Sequence, residues 1–176
     1  MYVSRRNYGV CLLSLALTLS LVGAGWAQTA TPTAPGPANP YLQAVAHLEQ
    51  AEQQLTAGNL SSALSLVKKS NELFTRFQKD SAAKLAEREL SSQESQQLAI
   101  NQKLATEAQT KADELLKTAA AKKKEAAELR AKGQTDAGDA AERESRDQYL
   151  QVQNLSIKSA IYALRNQQII FRFLAP

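Results

Sequence analysis

From Asn39 onward, apolar residues recur at steps of three and four, the period of a helix with one buried face. Tyr41, Ala44, Val45, Leu48, Ala51 and Leu55 form the first stripe and predict a helix from Asn39-Pro40 to about Ala57. Asn suits the cap, and Pro suits the first helical position, where its missing N–H has no partner to lose. Gly58 can take the left-handed conformation that ends a helix, and Asn59 can cap the next. A second stripe, Leu60, Ala63, Leu64, Val67, Phe74 and Phe77, continues towards Leu85.

Between Leu60 and Lys132 there is neither glycine nor proline. As one helix this stretch would be a rod about 100 Å long at 1.5 Å per residue, and a lone rod cannot bury its stripe. Ser91 followed by Glu94 has the form of a capping box, so two helices are expected, about 60–89 and 92–132. The later one carries Ile100, Leu104, Ala108, Leu115, Ala119, Ala126 and Leu129, an alanine-rich edge that permits close helix approach. After Gly133 a last helix, about Asp136 to Phe173, carries Leu150, Ile157, Ala160, Ile161, Leu164 and Phe171. The expected fold class is all-α: an antiparallel, coiled-coil-like bundle of three to four long helices over residues 41–176.

The first 40 residues follow another pattern. Arg5 and Arg6 precede the apolar run Val10 to Val22, and the small residues Gly23, Gly25 and Ala27 come after it, as in a signal peptide cleaved after Ala27. An uncleaved anchor is the alternative, since Val10 to Ala27 approaches spanning length. Ser4-Arg5-Arg6-Asn7-Tyr8 resembles a twin-arginine signal, but Gly9 replaces its usual apolar residue, so the general secretion route is preferred. Cys11 lies too early in the run for a lipoprotein signal. Residues 28–40 (QTATPTAPGPANP) hold four of the five prolines and read as an extended linker.

Charge and chemistry narrow the function. The formal charge of +4 falls to +2 once Arg5 and Arg6 are removed, too little to call for nucleic acid or anionic lipid. Loss of Cys11 leaves no thiol, so neither disulfides nor a cysteine metal site is expected. His47 is the single histidine and is expected at an exposed polar position beside the first stripe. With one histidine and no mature cysteine, Cys/His zinc sites and Cys–His or Ser–His nucleophilic pairs are effectively excluded. No phosphate-cradling glycine loop occurs, and Glu87 and Glu89 point to different sides of a helix. No catalytic residue, metal, cofactor, nucleic acid or small-molecule substrate is expected.

Around Gly133, Lys122, Lys123, Lys124, Arg130 and Lys132 are followed by Asp136, Asp139, Glu142 and Glu144. Cations at a helix C-terminus and anions at the next N-terminus both complement the macrodipoles. Lys122–Lys124 is a candidate basic patch, although a hairpin that neutralises itself is the preferred reading.

Sliding the chain by 75 residues aligns Gly58 with Gly133, Lys68 with Arg143, Ser70 with Ser145, Glu72 with Asp147 and Phe74 with Tyr149. Each half would be a helix, a glycine turn and a longer helix, with Glu142 standing where an apolar residue belongs. Residues 44–74, through Ala51, Gly58, Leu60, Ala63 and Ser70, resemble a tetratricopeptide-type hairpin. That family's tryptophan and closing proline have no counterpart. The resemblance implies a protein-binding role.

Ile169, Ile170, Phe171, Arg172, Phe173 and Leu174 are apolar on more than one side of a helix. They can plug the open end of the bundle, mediate self-association, or dock on a membrane with Arg165 and Arg172 near headgroups. The expected protein is therefore a non-enzymatic periplasmic or secreted interaction scaffold, partnered by an unknown protein or by itself through the C-terminal helix. The alternative is an envelope protein held at a membrane surface by that tail or by an uncleaved anchor.

Overall fold

The computed structural model describes residues 39–174, apart from 82–83 and 85–88. The expected signal peptide, nearly all of the expected linker and the expected continuation to Leu85 lie outside the described residues. Among those described there are four α-helices and no strand: α1 Pro40–Thr56, α2 Leu60–Asp80, α3 Ser92–Ala131 and α4 Thr135–Phe171, closed by a 3-10 turn Arg172–Leu174.

Local chemistry sets most of the boundaries. The Asn39 side chain accepts from the Tyr41 N–H at 2.9 Å, with Pro40 opening α1. Ser91 and Glu94 form the reciprocal capping box, so the long glycine-free stretch is divided as expected. Gly58 and Gly133 both sit at positive φ, 79° and 80°, where a Cβ is strained. Asn59 does not cap α2 with its side chain, which instead donates to Gln54 Oε1 at 2.8 Å.

The α3–α4 hairpin is built on small residues at seven-residue spacing. Ser145 Oγ donates to the Ala119 carbonyl at 2.8 Å, Ser159 Oγ to Ala105 at 2.9 Å and Asn166 Nδ2 to Leu98 at 3.3 Å. The numbers in each of these pairs add to 264, so one antiparallel register holds along the seam. Ala126 and Gly138 continue it: a Cβ on Gly138 would lie 3.0 Å from the Ala126 carbonyl oxygen and 2.7 Å from Arg130 Cγ. Only small side chains let two helix backbones approach so closely. The α1–α2 hairpin repeats the device, with Ser70 Oγ donating to the Ala44 carbonyl at 2.8 Å.

The shorter hairpin packs chiefly on α4. Ser159 and Asn166 lie on one side of α4, and Ile157, Ile161, Leu164 and Phe171 lie on the other, because successive residues turn by about 100°. The first side meets α3, and the second joins Tyr41, Ala44, Leu48, Ala51, Leu55, Ala63, Val67 and Phe74 in the core. Between 157 and 171, α4 is thus the central helix of the bundle, covered on both faces. Tyr41, Phe74, Phe77 and Phe171 stack their rings at one end, with centroids 5.6–6.1 Å apart, and the Tyr41 hydroxyl donates to the Gln168 carbonyl. Arg165 clamps both oxygens of Glu52 from the other element.

Several expected core positions differ. Ile100 is 52% exposed and Leu150 is 54% exposed. Asn101, Ser145 and Ser159 are buried in the α3–α4 seam. Close approach decides burial there: alanine, serine and asparagine fit between the backbones, and bulkier neighbours turn outward. His47 is half-buried rather than exposed, with Nδ1 enclosed.

Two outcomes check this packing in urea unfolding. Ser159→Ala should cost about 1 kcal/mol or less, because the Ala105 carbonyl keeps its helical donor and alanine favours helix. Ser159→Leu should cost roughly 2 kcal/mol or more by forcing the backbones apart. Equal costs for the two would contradict a close-packed seam.

Candidate functional site

Below Ile157 the covering hairpin ends, and the rest of α3 and α4 continues to Gly133 as a two-helix arm. On α4 it keeps Ala141 and Ser145 buried against α3, while Arg143, Glu144, Arg146, Asp147 and Leu150 are exposed. The 19 residues from Thr135 to Gln153 make it roughly 28 Å long at 1.5 Å per residue.

The 75-residue repeat explains why the arm stands alone. The inner seam is kept between copies: Ala44 and Ser70 correspond to Ala119 and Ser145, Ala51 and Ala63 to Ala126 and Gly138. The turns match bond for bond, with Gly58 N–H donating to Leu55 and Asn59 N–H to Gln54 in one, and Gly133 N–H to Arg130 and Gln134 N–H to Leu129 in the other. The outer stripe is not kept. Leu48, Leu55, Leu64 and Val67, which serve or flank the core in the first hairpin, become Lys123, Arg130, Asp139 and Glu142 in the second. A stripe that docks by apolar burial has been replaced by one that stays hydrated.

Those charges are organised. Arg130 Nη2 bonds Asp139 Oδ1 at 2.7 Å and also reaches Glu142, which accepts from Arg146 at 2.5 Å. The Arg130 stem lies over Gly138, so the clamp uses the space a side chain would fill. Hydrogen bonds from Arg146 and then Arg130 hold the Glu142 carboxyl below the usual carboxylate range. The Arg130 guanidinium is held above its ordinary value by Asp139 and Glu142.

The candidate basic patch sits on this arm. Lys122 pairs with Glu125 at 3.0 Å and with Glu144 at 3.2 Å, and its pKa is raised chiefly by the Glu125 hydrogen bond, then by Glu144. Lys124 pairs with Glu128 at 3.7 Å, and Lys123 is exposed. Two of the three lysines are therefore engaged within the hairpin.

The C-terminal candidates divide. Phe171 is buried among the aromatic rings, Ile170 packs against the core, Ile169 is half-buried, and Arg172 and Phe173 are exposed. The Leu174 side chain lies outside the described residues. Among the described residues, no group of three His, Cys, Asp or Glu is placed to hold a metal, and no helix is long and apolar enough to cross a membrane. Comparison with family models, curated proteins and solved structures gives no match.

Glu142 generates a pH prediction. Its folded-state pKa is depressed, so its contribution to the arm is complete above the usual carboxylate range and is lost as pH falls through the folded value. Amide resonances at Lys132–Gly138 should show an acid transition below about pH 4.5. Glu142→Gln should remove that transition while leaving resonances around Phe74 unchanged; an unaltered transition would assign it to another acid. Phe171 gives a second prediction. Phe171→Ala should cost about 3–5 kcal/mol and Phe173→Ala less than about 1 kcal/mol in thermal unfolding.

Proposed function

We propose that this chain is an exported, non-enzymatic interaction protein of the periplasm or cell exterior, in which the α1–α2 hairpin and the end of α4 form a base that holds out the α3–α4 arm to a protein partner or a second copy. What carries this reading is the exchange of Leu48, Leu55, Leu64 and Val67 for Lys123, Arg130, Asp139 and Glu142 between two otherwise matching hairpins. The exchange leaves the second hairpin without an apolar outer stripe and keeps it projecting, with a patterned charged face. The tetratricopeptide-like character of residues 44–74 agrees with a binding role. The N-terminal residues, basic and then apolar, support export.

Photo-crosslinking side chains at Lys123 and Arg143, both exposed on the arm, should capture a discrete protein adduct in the native envelope fraction, whereas the same probe at Gln53 on α1 should not. Equal capture from all three positions, or capture from Gln53 alone, removes the arm as the working surface. Protein recovered from the periplasm or medium should begin at Gln28. Recovery from the cytosol alone, with Met1 retained, would overturn export.

A further inference from the structure

One seam runs the length of α4. The face that receives the α1–α2 hairpin carries Ile157, Ile161, Leu164 and Phe171, with half-buried Gln168 between the last two, at steps of four and three. The same steps continue unbroken towards the arm tip, through Asn154, Leu150, Asp147, Arg143, Ala140 and Asp136. Alternating threes and fours keep one face of a helix in line with a neighbouring helix. The chain's own hairpin covers this seam from Ile157 onward. On the arm Asp136, Ala140, Arg143, Asp147 and Leu150 are exposed and Asn154 is half-buried. Leu150 is the most exposed of the large hydrophobic residues described. The ion pairs of the arm, centred on Lys122 and Arg130, leave out Asp136, Arg143 and Asp147.

This uncovered stretch is its own complement. Laid antiparallel on a second copy, about a two-fold axis level with Ser145, it sets Arg143 against the second copy's Asp147, Ala140 against its Leu150 and Asp136 against its Asn154. The numbers in each pair add to 290, and the symmetry makes every contact twice. Two ion pairs then lie at the centre, a small side chain faces a large one on either side, and a carboxylate meets an amide donor at each end. Neighbouring registers fit worse. A shift of one heptad sets Asp136 against Asp147 in one direction and Asp147 against Leu150 in the other, and a parallel pairing sets Arg143 against Arg143. The overlap from Asp136 to Asn154 stops before Ile157, where the hairpin takes over, so the two bases lie at opposite ends. At about 28 Å by 10 Å, the contact covers roughly 280 Å² per copy, short of the ~800 Å² of a stable interface, so the association is weak and reversible.

We propose that two copies of this chain pair antiparallel through the outer face of α4 on their arms, with Arg143 of each bonded to Asp147 of the other. This pairing rests on the arm being the working surface and names what it takes, a second copy. The test traps the contact with engineered cysteines in the chain as recovered from the cell, with Cys11→Ser wherever that residue is retained. Mild oxidation of a mixture of Ala140→Cys and Leu150→Cys chains should link one to the other. Neither should link to itself, because like positions then stand about 15 Å apart along the axis. Arg143→Asp should slow the linkage about tenfold, Asp147→Arg should do the same, and the two together in one chain should restore it. Unchanged melting temperatures would show that the fold survives these surface exchanges. Self-linkage of Ala140→Cys as fast as its linkage to Leu150→Cys overturns the pairing, and so does a double exchange that fails to restore it. A different protein captured from Arg143 in the envelope, with no linkage between positions 140 and 150, overturns the pairing and leaves the arm as the working surface. Equal capture from Gln53 removes the arm itself.

Discussion

The distance between two helix backbones governs this molecule. Ala119 against Ser145, Ala105 against Ser159 and Ala126 against Gly138 hold α3 and α4 close enough for side-chain hydroxyls to reach the opposite main chain. Such a seam buries little area per residue, so its strength comes from length and from hydroxyls such as those of Ser145 and Ser159 that reach the opposite main chain, rather than from bulk. It also leaves the other faces of each helix available. On α4 one of those faces receives the apolar hairpin, and there the described residues form a core of Leu, Ile, Val and aromatic side chains.

The same unit therefore appears twice with opposite surfaces. In the first hairpin, Leu48 and Val67 pay for docking on α4 by leaving water. In the second, Lys123 and Glu142 stay in it. The turn geometry and inner seam were retained while the outer stripe changed, which separates what makes a hairpin from what decides where it binds. The Arg130–Asp139–Glu142–Arg146 cluster is exposed, so its part is to order the tip rather than to stabilise the fold as a whole.

Features set by neighbouring residues were legible in the chain. Asn39-Pro40, Gly58, Ser91 with Glu94, and Gly133 each act within one turn of helix, and each marks a boundary in the structure. The 75-residue repeat was legible too, and so was the oddity of Glu142. What could not be read was which face of each helix meets which neighbour. Hydrophobicity alone places Ile100 and Leu150 inward, whereas Asn101 and Ser159 take the inner places because they are small enough, Ser159 donating to the Ala105 carbonyl and Asn101 accepting from Gln97 Nε2. A seven-residue spacing of small residues, Ala105, Ala112, Ala119 and Ala126, was the available signal. It was submerged in an alanine-rich background.

That uniform spacing has a mechanical consequence. Because nearly equivalent layers recur along α3, a slip of α4 by one heptad would exchange one alanine for another with little change in fit, so the rod resembles a ratchet with similar teeth. What opposes the slip is the tip: it would need a turn of different length at Gly133, and it would bring a residue with a Cβ beneath Arg130, where only Gly138 leaves the space free. The alignment of the whole hairpin is thus pinned at its outermost point, the place where a load on the arm would first be felt.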